Sequence, residues 1–109
     1  MCIRDRAHEL TKEIYQCTKS FPKSEIYGLT SQVRRAALSI PTNIAEGCGR
    51  TSKVELKRYL VIASGSASEV EYLLYFAYEI GYLKKEKYEQ LNASILEIKR
   101  TLTSYKNKI

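Results

Sequence analysis

Six cations carry the most suggestive spacing in the chain. Arg50, Lys53 and Lys57 recur at steps of three and four, Arg58 is adjacent, and Arg34 and Arg35 stand one element earlier. On a helix that spacing gathers Arg50, Lys53 and Lys57 on one face, where fixed cations meet phosphates and position a nucleic acid without reading its sequence. A solvated basic face with no partner has the same spacing. The segment Glu46-Gly47-Cys48-Gly49-Arg50-Thr51-Ser52-Lys53 adds two glycines and then cations at a helix start. Free backbone amides and the positive end of the helix dipole favour an anion there. The competing reading is a tight turn with positive φ at Gly47 and Gly49 followed by an ordinary cap. The Gly-Lys-Ser/Thr order of a Walker phosphate loop is missing.

Other reactive residue types do not assemble into a site. Ser64, Ser66 and Ser68 lie in a run of small residues, but the only histidine, His8, is far away in sequence and no G-x-S-x-G elbow surrounds the serines. The run Ala63 to Ser68 reads better as a surface on which two helix backbones approach closely. No pair of carboxylates has a spacing that demands acid-base work. Cys2, Cys17 and Cys48 form no C-x-x-C pair, so neither a metal nor a cofactor is expected, and a reducing cytoplasm is the natural setting. A protein that is not an enzyme is expected.

Four helical stripes would position these residues. Tyr88, Leu91, Ile95, Ile98, Leu102, Tyr105 and Ile109 alternate steps of three and four, which predicts an amphipathic helix. Leu56, Leu60, Ala63, Ala67, Val70, Leu74 and Ala77 predict a second, from a capping box at Ser52-Lys53-Val54-Glu55 to a stop at Gly81. Ile26, Leu29, Val33, Ala36, Ile40 and Ile44 predict a third that starts after Pro22 and Ser24, with Pro41 kinking or interrupting it. Leu10, Ile14 and Cys17 predict the first, over about 7–20. With connections of about four residues, the fold class is all-α, an antiparallel up-down-up-down four-helix bundle.

The 109 residues suit one domain, 1–109, and the net charge of +6 favours an anionic partner. That charge is polarised: +1 over residues 1–20, +4 over 21–58, −3 over 59–80 and +4 over 81–109. Glu69, Glu71 and Glu79 stand among Tyr72, Tyr75, Tyr78 and Tyr82, so a basic end and an acidic, tyrosine-rich end of one helix suit contact between neighbouring subunits. In the blander reading Tyr75 and Phe76 fill the core. The longest uncharged stretches, 36–45 and 59–68, have ten residues each, short of the roughly 20 needed to span a bilayer. Met1-Cys2-Ile3-Arg4-Asp5-Arg6 resembles the translation of a transposase adaptor and is expected to replace a native start.

The run Phe21-Pro22-Lys23-Ser24-Glu25-Ile26-Tyr27-Gly28-Leu29-Thr30-Ser31-Gln32-Val33-Arg34-Arg35-Ala36-Ala37 continues through Ser39-Ile40-Pro41-Thr42-Asn43-Ile44-Ala45-Glu46-Gly47. With Gly49-Arg50, the Ala63 to Glu69 run and Ala77 to Leu83, it resembles the bacterial four-helix-bundle proteins encoded in intervening sequences of 23S ribosomal RNA genes. These are relatives of the accessory variability determinant of diversity-generating retroelements. The resemblance covers about residues 7–105. It implies a ring-shaped homopentamer with a basic surface that binds RNA or DNA and, in the retroelement relatives, a reverse transcriptase. It implies no catalytic residue. Arg34, Arg35 and Arg50 match basic positions of the motif, while Lys53, Lys57 and Arg58 join them by helical geometry. Cys48 stands where the family usually has a small residue. The expected function is a non-enzymatic, oligomeric nucleic-acid-binding protein, with a scaffold subunit that binds a protein such as a reverse transcriptase as the alternative.

Overall fold

The four stripes fold as four helices in a computed structural model that describes residues 2–109: α1 (Ile3–Cys17), α2 (Leu29–Cys48), α3 (Lys53–Glu79) and α4 (Lys85–Lys108). Met1, the first of the six residues expected to be foreign, lies outside the described residues. Each helix packs on its neighbour in sequence, and α4 closes the square against α1. The cross-helix hydrogen bonds join Thr11 to Ala37, Ser39 to Ser66 and Lys99 to Glu71. Late residues of one helix meet early residues of the next, Tyr15 with Arg34, Gly47 with Tyr59 and Tyr78 with Tyr88, so neighbours run antiparallel. The molecule measures 43 × 25 × 20 Å, and its long axis matches the roughly 40 Å of α3 at 1.5 Å per residue.

The expected stripes supply the core. Leu60, Ala63, Ala67, Val70, Leu74 and Ala77 of α3 meet Leu91, Ile95, Ile98 and Leu102 of α4, Val33, Ala37, Ile40 and Ile44 of α2, and Leu10 and Ile14 of α1, all buried. Ser52 caps α3 as the capping box predicts, its Oγ accepting from the Glu55 N–H at 3.3 Å. At the other end the Tyr82 N–H reaches the Ala77 carbonyl at 2.8 Å and the Gly81 N–H the Tyr78 carbonyl at 3.1 Å. With Gly81 at φ 88°, this is a Schellman stop.

Four expectations are corrected. The helix α2 begins at Leu29 rather than after Ser24: residues 23–25 form one 3-10 turn, Ile26 is exposed, and Glu25 caps α2 by accepting from the Leu29 N–H at 3.2 Å. Pro41 sits inside α2 without interrupting it. The amide it lacks would have bonded the Ala37 carbonyl, and the buried Thr11 hydroxyl of α1 stands 3.1 Å from that oxygen, its one proton shared with its own Ala7 carbonyl at 2.7 Å. Gly47 and Gly49 do not take positive φ; among the described residues only Gly81 does. Gly47 is required for a different reason, because a Cβ there would stand 3.0 Å from Tyr59 Cβ and 3.1 Å from Leu56 Cδ1. Finally, Tyr75 and Phe76 do not fill the core, being 47% and 42% exposed. Tyr78, Tyr82 and Tyr88 pack against the core in their place.

Candidate nucleic-acid interface

The six cations separate into two places along α2. From Arg34 and Arg35 to the end of the helix near Arg50 is a rise of about 22 Å at 1.5 Å per residue. Arg34 turns to α1: its Nε donates to Thr18 Oγ1 at 2.8 Å, its terminal nitrogen to the Tyr15 carbonyl at 3.2 Å, and its guanidinium lies 4.8 Å over the Tyr15 ring. A cation on the last turn of a helix complements the negative end of its dipole, so Arg34 is held by the C-terminus of α1. Arg35 is exposed and borders a groove between α2 and α3 with Gln32, Ser39, Ser66 and Glu69.

The other four gather at the α2–α3 corner. Arg50 donates to Tyr59 Oη at 3.0 Å and to Glu46 at 3.2 Å, and its Nε is 3.8 Å from Glu55. Its guanidinium stands 5.2 Å from the centre of the Tyr59 ring, and that of Arg58 stands 5.0 Å from the same centre. One ring thus orders two guanidiniums, a cation–π arrangement that limits the rotamer entropy lost on meeting an anion. Lys53, Lys57 and Arg58 are exposed, and none pairs with a carboxylate among the described residues. The anion-friendly chemistry expected of the connector therefore lies in side chains. The Ser52 hydroxyl already takes the Glu55 amide, and the Glu55 carboxylate faces Arg50.

Two further cations reach this end. The antiparallel course of α4 puts Lys106 and Lys108, in its last turn, at the end of the bundle where α3 starts. Neither was singled out by spacing; the +4 of the last segment, combined with the antiparallel pairing, is the signal that finds them. The acidic aromatic region lies at the other end of α3. There Tyr72 stacks on Phe76 at 6.4 Å, Tyr78 on Tyr88 at 4.7 Å, and Glu71 accepts from Lys99 at 2.6 Å.

The serines and cysteines stay apart from this corner. Ser66 bonds Ser39 across the α2–α3 contact at 2.8 Å, and His8 is exposed on α1. All three cysteines are free, and burial pushes the Cys17 thiol above its ordinary pKa. Among the described residues, no group of three or more His, Cys, Asp or Glu side chains is placed to hold a metal ion, and no helix is long and apolar enough to cross a membrane.

Comparison with known proteins adds a family and a fold. A sequence profile of the family described as 23S rRNA-intervening sequence protein matches residues 1–104. A crystal structure of a protein with unknown function from the S23 ribosomal protein family of Bacteroides thetaiotaomicron VPI-5482 superposes with a TM-score of 0.86 at 27% identity, covering 95% of this chain and 97% of that one. No curated protein matches.

Proposed function

We propose that this chain, which belongs to the 23S rRNA-intervening sequence protein family, is an oligomeric, non-catalytic protein of the cytoplasm that binds RNA or DNA through phosphate contacts. The observation that carries the reading is the corner where Lys53, Lys57 and Arg58 stand exposed without a carboxylate partner, beside Arg50 ordered on Tyr59. Free cations beside ordered guanidiniums meet an anion at little entropic cost, and their spacing along α3 suits successive phosphates rather than one small anion. Arg35 adds a cation farther along α2, whereas Arg34 is assigned to holding α1 on α2. The subunit number, five by family resemblance, is part of the proposal.

Fluorescence anisotropy with a labelled structured RNA and a duplex DNA over a salt series tests it. Four phosphate contacts give a log–log salt slope of about −3.6 on duplex DNA, which is roughly a hundredfold loss between 50 and 200 mM salt. Lys53→Glu, Lys57→Glu and Arg58→Glu together should remove binding with helicity intact. Arg34→Met should lower thermal stability and leave the salt slope unchanged. Binding that ignores salt, or a triple variant that binds normally, overturns the reading. If the cations instead serve a protein such as a reverse transcriptase, RNA will neither bind nor displace that partner.

A further inference from the structure

The groove between α2 and α3 brings two opposite charges together without pairing them. Gln32 and Arg35 of α2 form one wall and Glu69 of α3 the other, over a floor of Ala36, Ser39 and Ser66. Its volume is about 410 Å³, within the roughly 300–1,000 Å³ of small-ligand sites. Arg35 has no carboxylate partner and Glu69 no cation partner among the described residues. At the end of α2 such a pair does close, Glu46 holding Arg50 at 3.2 Å. A guanidinium only donates hydrogen bonds and a carboxylate only accepts them, so the open groove has a donor side facing an acceptor side.

The floor between them is held in place. Asn43 Nδ2 donates to the Ser39 carbonyl at 2.8 Å and to Ser39 Oγ at 2.9 Å, and the Ser39 and Ser66 hydroxyls meet at 2.8 Å. Those two hydroxyls carry two protons and share one bond, so one O–H is left for a third group. We infer that the groove binds a guanine base, extruded from a single-stranded stretch of the nucleic acid whose phosphates the α2–α3 corner holds. Unstacked bases are read on their Watson–Crick and Hoogsteen edges, and guanine is the base whose two edges match this pair of walls. Its N7 and O6 are adjacent acceptors for the forked Arg35 guanidinium. Its N1–H and N2 amino group are adjacent donors for the Glu69 carboxylate. Adenine and the pyrimidines each offer a carboxylate one donor group in place of two.

The groove and the corner lie on one path. Gln32, Arg35, Ser39, Asn43, Glu46 and Arg50 follow one another at steps of three and four, so one side of α2 leads from the groove to the corner over about 22 Å. A strand held by its phosphates at the corner can therefore present a base a few nucleotides away. The inference rests on the nucleic-acid reading for the strand that carries the base, and on the groove alone for the base itself. It adds to that reading a preference among bases, which phosphate contacts do not supply.

Hairpin RNAs that differ in one loop base, titrated against the full chain by fluorescence anisotropy, test it. The guanine loop should bind about tenfold tighter than the adenine loop. Inosine, which lacks the N2 amino group, and 7-deazaguanine, which lacks N7, should each forfeit most of that gain. Glu69→Ala should erase the preference for guanine over inosine and leave binding of the adenine loop and its salt slope unchanged. Arg35→Lys keeps the charge and loses the fork, and should erase the preference for guanine over 7-deazaguanine. Equal binding of all loops with a steep salt slope overturns the inference and leaves the corner reading standing. If no RNA binds, the corner reading fails, and guanosine alone decides the groove. Amide NMR shifts at Gln32, Arg35, Ser66 and Glu69 with guanosine and not with adenosine would then sustain the inference, and their absence would overturn it as well.

Discussion

The contact that lets α2 run through Pro41 makes a measurable prediction. Pro41 offers no amide to the Ala37 carbonyl, which is buried, and the Thr11 hydroxyl, 7% exposed, lies 3.1 Å from it. Thr11→Val keeps the shape and removes the donor. A buried carbonyl left without a partner costs about 1–3 kcal/mol, and the added methyl recovers up to about 0.8 kcal/mol, so a net loss of about 1–2 kcal/mol is expected. For a chain of this size that is a fall in Tm of about 4–8 °C. In a Pro41→Ala background the amide of residue 41 returns to Ala37. There Thr11→Val should cost less than about 0.5 kcal/mol, a coupling of about 1 kcal/mol. Thermal and urea unfolding followed by circular dichroism, at one protein concentration for all four proteins, measures the cycle. Equal cost of Thr11→Val in both backgrounds would refute the assignment of Thr11 as the replacement donor.

Three further outcomes follow from local geometry. Gly47→Ala should destabilise by about 1–3 kcal/mol, because the new methyl meets Tyr59 Cβ at 3.0 Å; unfolding curves that match wild type would show that α2 and α3 separate freely. Stability should decline on the alkaline side. The Tyr82 hydroxyl donates to Glu25 at 2.9 Å, and that bond raises its pKa above the ordinary 10.0. The neutral phenol is therefore favoured in the fold, so the contribution is complete below pH 10 and is lost as pH rises through the raised value; Tyr82→Phe should flatten this decline in a pH series of melts. Iodoacetamide at neutral pH should label the exposed Cys2 and Cys48 well before Cys17, whose pKa is raised by burial. Peptide mass mapping over time reads the order, and equal rates would contradict the packing of Cys17.

The fold was legible because periodicity reports burial directly. The stripes of α3 and α4, the start at Ser52 and the stop at Gly81 are local signals, and each appears where spacing puts it. The roles of Pro41, Gly47 and Tyr75 escape a local reading for a common reason: each depends on a neighbouring helix. A proline is tolerated when another helix supplies the missing donor, and a glycine is required when Tyr59 presses on it. An aromatic at core spacing points outward when a neighbour such as Tyr78 takes the inward position. The six cations show the same limit. Spacing sets Arg50, Lys53 and Lys57 on one helical face with Arg58 adjacent, whereas Arg50 precedes α3, and only the structure shows that Arg34 is taken up by Tyr15 and Thr18 of α1.

One protomer offers few phosphate contacts on this reading, and that scarcity is what the oligomeric part of the proposed function would relieve. Four corner cations give a salt slope of about −3.6 on duplex DNA, which by itself is a weak, non-specific grip. The corner bearing them lies at one end of the bundle. An oligomer that leaves these ends exposed would repeat the corner from subunit to subunit. Binding at a second corner is then intramolecular and raises avidity without any new type of contact. A −3 segment between two +4 segments would weaken a phosphate surface if charge were spread evenly over the molecule. Carried on α3 away from the corner, with Glu71 paired to Lys99 and Glu69 bordering the groove of Arg35, its glutamates leave the basic end free for the polyanion.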